Sequence, residues 1–316
     1  MSISSRNILP GLGWAIVAIV VWSGSLVMLR LGVTTSLNAY DLTMLRFGVA
    51  GVLLAPVALR RGGAGTDRLG LIGLGAIICA FGAPYVLLIA FAMKTAPAAA
   101  AGALNPGVMA IASVLLGRLI LGDRVGVVRF LGLALTAVGI VLFAWAGGVI
   151  TTCHLILIGT GVMWASYALI VRRAAIPALN ATAIVAVGSA IFYLPVYLIV
   201  LPKQILAAPF TDILLQAGFQ GVLVSVAAIY AFNRSAELLG PVAGATLPAL
   251  IPVVALGLGV LVLGETAGAG EFASAILVSV GLALILVGKP VAHWVLSHIP
   301  SGLIGNWTFP GRRGSR

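Results

Sequence analysis

A chain of 316 residues that is 61% hydrophobic and only 8% charged, with a mean hydropathy of +1.20, carries more apolar surface than one soluble core can hide. Its formal charge of +11 comes from 18 Lys and Arg against 7 Asp and Glu, but the basic residues are scattered between apolar segments and form no continuous stripe, so a nucleic-acid partner is not expected. Two cysteines supply no disulfide framework and read as unpaired thiols.

A bilayer core takes about 20 apolar residues per helix, and windows of that length predict an all-α integral membrane protein with ten spans. Residues 1–10 precede the first, with Arg6 as their one charge. Span 1, 11–29, runs straight into Arg30 without a small-residue cleavage site, so it reads as a retained span rather than a signal peptide. Trp22 and Ser25 share one face of it with Ala15 and Ala18. Span 2, 42–59, holds Arg46, the one clear intramembrane charge. It lies about a turn from the outer end, which predicts that it snorkels outward and serves structure or gating. Span 3, 71–92, carries Tyr85 beside Pro84, and span 4, 98–121, carries Asn105 beside Pro106, polar groups placed where proline frees a backbone carbonyl. Asp123 follows the end of span 4.

Span 5, 127–146, has nothing ionisable from Phe130 onward, and Cys153 falls in the loop after it. In span 6, 154–171, Trp164 shares a face with Tyr167, Ala168 and Leu157, and span 7 covers 182–201. On span 8, 213–233, an α-helical advance of about 100° per residue puts Gln216, Gln220, Ala227, Tyr230 and Arg234 within about 40° of one line, a largely polar stripe. Span 9, 242–263, contains Pro248 and Pro252, is followed by Glu265, and has Gly240 and Gly244 in a GxxxG at its start. Span 10 covers 272–288, leaving a tail, 289–316, that is either an interfacial segment or disordered beyond Pro300.

With a cytoplasmic N-terminus, fourteen of the eighteen Lys and Arg fall on the inner side: Arg6, Arg60, Arg61, Arg68, Arg118, Arg124, Arg129, Arg172, Arg173, Arg234, Lys289, Arg312, Arg313 and Arg316. Only Arg30, Lys94 and Lys203 fall outside, an asymmetry that predicts both termini in the cytoplasm. One offset of 142 residues, with no gap, also relates the halves: Trp22 to Trp164, Arg30 to Arg172, Pro106 to Pro248, Gly122 to Gly264, Asp123 to Glu265 and Gly139 to Gly281. Chance matches are common for Leu or Ala but rare for Trp, Pro and acids. A duplicated unit of five spans, 11–146 and 154–288, must enter the membrane in opposite senses because five is odd. Inverted repeats of this kind build secondary transporters with a site near the midplane.

Trp22-Ser23-Gly24-Ser25, Leu45-Arg46-Phe47, Leu121-Gly122-Asp123-Arg124, Gly132, Gly139, Pro252 and Leu263-Gly264-Glu265 together resemble the EamA-type members of the drug/metabolite transporter superfamily, over about residues 11–288. The family's usual glutamate after span 4 is Asp123 here, and Ala110 stands where the repeat would match Pro252. The resemblance implies a central cavity ringed by spans 1, 3, 4, 6, 8 and 9, with spans 5 and 10 peripheral. Substrate contacts are then expected from Trp22, Ser25, Tyr85, Asn105, Trp164, Tyr167, Gln216, Gln220 and Tyr230. Structural or gating roles are expected of Arg46, Pro106, Pro248, Pro252, Asp123 and Glu265. The same tryptophans serve equally as packing or interfacial belt residues, and Tyr85 and Asn105 as an interhelical hydrogen bond.

All seven acids fall in loops or at span ends, which favours facilitated diffusion or exchange over obligate proton symport. A cavity of amides and aromatics without charge suits a zwitterion or neutral amphipath. The expected function is export or exchange of a small metabolite such as an amino acid across the inner membrane. A lipid-carrier flippase on the same fold is the alternative, and a membrane enzyme a remoter one, since no GxSxG, HExxH or paired intramembrane aspartate occurs. No cofactor or metal is expected; the partners are a small-molecule substrate and the lipid bilayer, and a homodimer is compatible with the chain.

Overall fold

The computed structural model describes residues 5–59, 68–146, 151–239 and 247–298, and the regular structure there is helical throughout. Among these residues nine helices are long and apolar enough to cross a membrane, and Pro248–Leu263 is a shorter tenth. Span 1 is Ser5–Thr34, span 2 Ala39–Ala58, span 4 Ala98–Leu121, span 5 Val127–Ala146, span 6 Thr152–Ala174 and span 7 Ala178–Ile199. Span 3 is two helices, Gly70–Phe81 and Ala83–Ala92. Span 8 changes winding twice, from α at Phe210–Gln216 through a π-helix at Ala217–Ala227 to α at Ala228–Leu239. Span 9 opens with a 3₁₀ turn at Leu247–Leu250 before Ile251–Leu263, and span 10 continues to His298, ten residues past the apolar window. The GxxxG at Gly240 and Gly244, the pair Arg60 and Arg61, and the tail beyond His298 lie outside the described residues.

Local chemistry sets these boundaries. Span 2 starts three residues before its apolar window because Asn38 and Asp41 form a capping box: the Asn38 side chain accepts from Asp41 N at 2.9 Å and the Asp41 carboxylate accepts from Asn38 N at 3.1 Å. Spans 4 and 9 both end on a left-handed glycine, Gly122 with φ 69° and Gly264 with φ 65°, a conformation glycine adopts without steric cost. Span 3 breaks at Gly82, ahead of Pro84, and the amide freed at Ala83 donates to Ser189 Oγ of span 7 at 3.1 Å.

The halves interlock rather than sit side by side. Span 5 packs along span 10, span 2 along span 7 and span 4 along span 9, each against its own repeat equivalent. Span 1 lies against spans 8 and 9, and its equivalent span 6 lies against spans 3 and 4. Spans 5 and 10 meet backbone to backbone: a Cβ on Gly281 would stand 2.6 Å from Thr136 N and 2.8 Å from Gly132 O, and one on Gly139 would stand 3.0 Å from Val278 N. Outward faces carry exposed Leu71, Ile72, Leu119, Leu261 and Ile199, as a lipid-facing surface requires.

Candidate functional site

Because successive spans alternate in direction, one face of the molecule carries the N-terminus and the 174–178 connection, and the opposite face carries the connections after Thr34 and Leu263. Between them lies a cavity of about 350 Å³. That is the lower end of the range of about 300–1,000 Å³ usual for small-molecule sites. Its wall includes Trp22, Ser25, Tyr85, Asn105, Trp164 and Tyr167, all expected from the sequence to face a substrate, with Pro106 and Pro248. Toward the N-terminal face the wall runs on to Ala178, Thr182 and Asn233. Toward the other face it stops at Leu29 and Ile89, beyond which Leu37, Leu42 and Met93 are buried.

The break in span 3 organises one wall. Phe81, the last residue before it, stacks on Tyr167 with centroids 4.5 Å apart and planes at 12°, and lies 4.9 Å from Tyr85 and 5.6 Å from Trp164. Tyr85 donates to Asn105 Oδ1 at 3.0 Å, and Asn105 in turn donates to Thr160 Oγ1 at 2.8 Å, joining spans 3, 4 and 6. Opposite them Trp22 packs on Phe232, 5.3 Å between centroids.

The polar stripe read on span 8 is not one face of the cavity. Gln216 is buried and donates to Met28 O at 2.7 Å, away from the lining. Gln220 is wholly buried behind the wall, accepting from Ser25 Oγ at 3.1 Å and donating to Ser25 O at 2.9 Å. Tyr230 is 59% exposed and meets Trp14 edge-on at 5.5 Å on the outer surface. The physical reason is the π segment: i→i+5 winding advances each residue by less than the α-helical angle, and over eleven residues the deficit turns Tyr230 off the line. Asn233, Phe232 and Ser225 take the cavity positions instead. Asn233 is an amide inside a span and carried the right signal, but α-helical spacing placed its neighbours there.

Arg46 also departs from expectation. The earlier start of span 2 puts it seven residues, about 10 Å, into the helix. Rather than snorkel outward it lines the cavity, with Nη1 3.4 Å from Gln220 Oε1 and its carbon 5.9 Å from the Phe47 ring. The Arg46 guanidinium brings a positive charge to the wall, so the cavity is not neutral. Among the described lining residues none is a carboxylate.

The two acids assigned to structure or gating pair across the repeats. Glu265 accepts from Arg30 Nε at 3.1 Å and from Ala98 N, the first amide of span 4, at 3.1 Å, while Arg30 also reaches Met93 O. Asp123 receives Arg172 in a fork, at 2.7 and 3.2 Å. The Arg30–Glu265 pair is shielded, with side chains 21% and 14% exposed, and lies at the face where the cavity stops. The Arg172–Asp123 pair, 60% and 30% exposed, lies at the face the cavity reaches. Pro252 is buried off the lining. Among the described residues no group of His, Cys, Asp or Glu is placed to hold a metal ion.

Known proteins bear out the duplication. The model of the EamA-like transporter family matches residues 9–145 and again 151–287, two stretches that begin and end 142 residues apart. No curated protein matches the chain. Eleven solved chains do, and one of them, described only as the crystal structure of a protein, aligns with a TM-score of 0.58 at 22% identity over 90% of this chain and 98% of its own, a likeness of fold alone. With its two family repeats covering nearly all of its apolar helices, the chain belongs to the EamA-like transporter family, membrane transporters of the drug/metabolite type.

Proposed function

We propose that the protein is a secondary carrier that exports or exchanges a small metabolite, an amino acid or related compound, by alternating access across the inner membrane. The observation that carries this reading is the cavity itself, lined from both repeats, reaching one face and separated from the other by buried Leu37, Leu42, Met93 and the Arg30–Glu265 pair. An inverted repeat supplies the second state, because exchanging the conformations of the halves closes the first face and opens the second. The surplus of Lys and Arg at the N-terminal face supports cytoplasmic termini and therefore an inward-open conformation here. The cavity's volume suits a metabolite better than a lipid carrier, and the lack of a carboxylate in its described wall supports exchange or facilitated movement over obligate proton symport.

The test compares metabolites in the medium of cells expressing the protein with those of cells expressing Trp22→Ala, Trp164→Ala protein at equal membrane abundance. Accumulation of one compound class only with the intact protein is the expected result, followed by counterflow of that compound in proteoliposomes. Profiles indistinguishable from empty vector remove the export direction.

A further inference from the structure

Arg46 has the donors for a partner that the described protein groups do not supply. A guanidinium offers five N–H groups in a fixed fork. Gln220 Oε1 is a distant acceptor for one, at 3.4 Å, and Nε is buried without a hydrogen-bond partner. Gln220 is not free to turn toward it, because its amide is spent on both the hydroxyl and the carbonyl of Ser25. The rest of the cavity wall includes the aromatic side chains of Trp22, Phe81, Trp164 and Phe232, and its other polar members, Asn105 and Thr182 among them, are neutral. The site thus offers a carboxylate a planar, bidentate cation, and offers an ammonium group only neutral oxygens.

We infer that Arg46 is the anchor for the carboxylate of a small monoanionic solute whose apolar or aromatic body lies among Trp22, Phe81, Trp164 and Phe232. This rests on the carrier reading and narrows its substrate class: the carboxylate is the recognised group and an amino group is dispensable. Gln220, held by Ser25, acts as a positioning residue that keeps the fork turned into the cavity.

Calorimetric titration of the purified full chain in detergent tests this at neutral pH, where carboxylic acids are ionised. The probes are 3-phenylpropionate and 4-methylpentanoate, the amine and the primary amide of matching body, and phenylalanine. The acids bind about tenfold or more tighter than the matched amine and amide. Arg46→Gln removes that advantage, and Arg46→Lys keeps the order at lower affinity, which separates loss of the anchor from loss of the fold. Equal or tighter binding of the amine or amide, an acid preference that survives Arg46→Gln, or no acid binding at all overturns the assignment. Counterflow keeps the two readings apart: solute exchange with no acid preference leaves the carrier and removes the anchor, and acid binding at Arg46 without movement across vesicles does the reverse.

Discussion

Arg30 and Arg172 stand at corresponding positions of the two repeats, and each finds its carboxylate in the opposite one, Glu265 and Asp123. Their surroundings differ, which makes the stabilities separable. An exposed ion pair contributes about 0–1 kcal/mol, whereas breaking a shielded one leaves a charge stranded at about 3–5 kcal/mol. Arg30→Ala therefore lowers the unfolding midpoint in detergent well below that of Arg172→Ala, and equal shifts would contradict the shielding seen at the closed face. Gln220→Ala strips Ser25 of two partners and Arg46 of one, a loss of about 1–3 kcal/mol that thermal unfolding reports directly. At this scale the sequence points to the cavity wall through Trp22, Tyr85, Asn105 and Trp164, which interrupt apolar spans, but not through Gln216, Gln220 and Tyr230, which interrupt one equally and lie off the lining. Arg46 is misplaced because the polar capping box lowers the hydropathy of its helix's first turn and hides nearly one turn of depth.

Helices whose periodicity is regular are legible as elements, and irregular ones are not. Gly122 and Gly264 mark the ends of spans 4 and 9, but nothing in the apolar pattern of residues 217–227 separates α from π winding. That decision comes from neighbours, since Gly221 passes so near span 2 that a Cβ there would stand 2.5 Å from Val49 Cβ. The contact between spans 5 and 10 gives a sharper test. Gly281→Leu drives a side chain into Thr136 and Gly132, at a cost of about 1–3 kcal/mol or more, while Gly75→Leu, which meets nothing within 4 Å, leaves stability unchanged. Thermal unfolding of the two variants side by side measures the difference.

The duplication is legible in the sequence of the whole molecule, through an ungapped offset and an odd number of spans, while which face the cavity reaches is not, because both repeats carry the same motifs. Accessibility reads that directly. With Cys79 and Cys153 replaced by alanine, Thr182→Cys, on the cavity wall, reacts with a membrane-impermeant thiol reagent supplied from the N-terminal side but not from the opposite side, and Leu37→Cys, buried beyond the closed end, reacts from neither. Labelling of Thr182→Cys only from the opposite side would place the opening at the other face. The exchange of ionic partners between repeats has a further consequence, in time rather than in energy. Arg30 leaves the ribosome 235 residues before Glu265, and Arg46 precedes Gln220 by 174. At about 5–20 residues per second, the first arginine waits roughly 12–47 s for its carboxylate. During that interval the first five spans are made while Arg30 still lacks its carboxylate, so the lifetime of the nascent half, and what shelters it, decides how much finished protein accumulates.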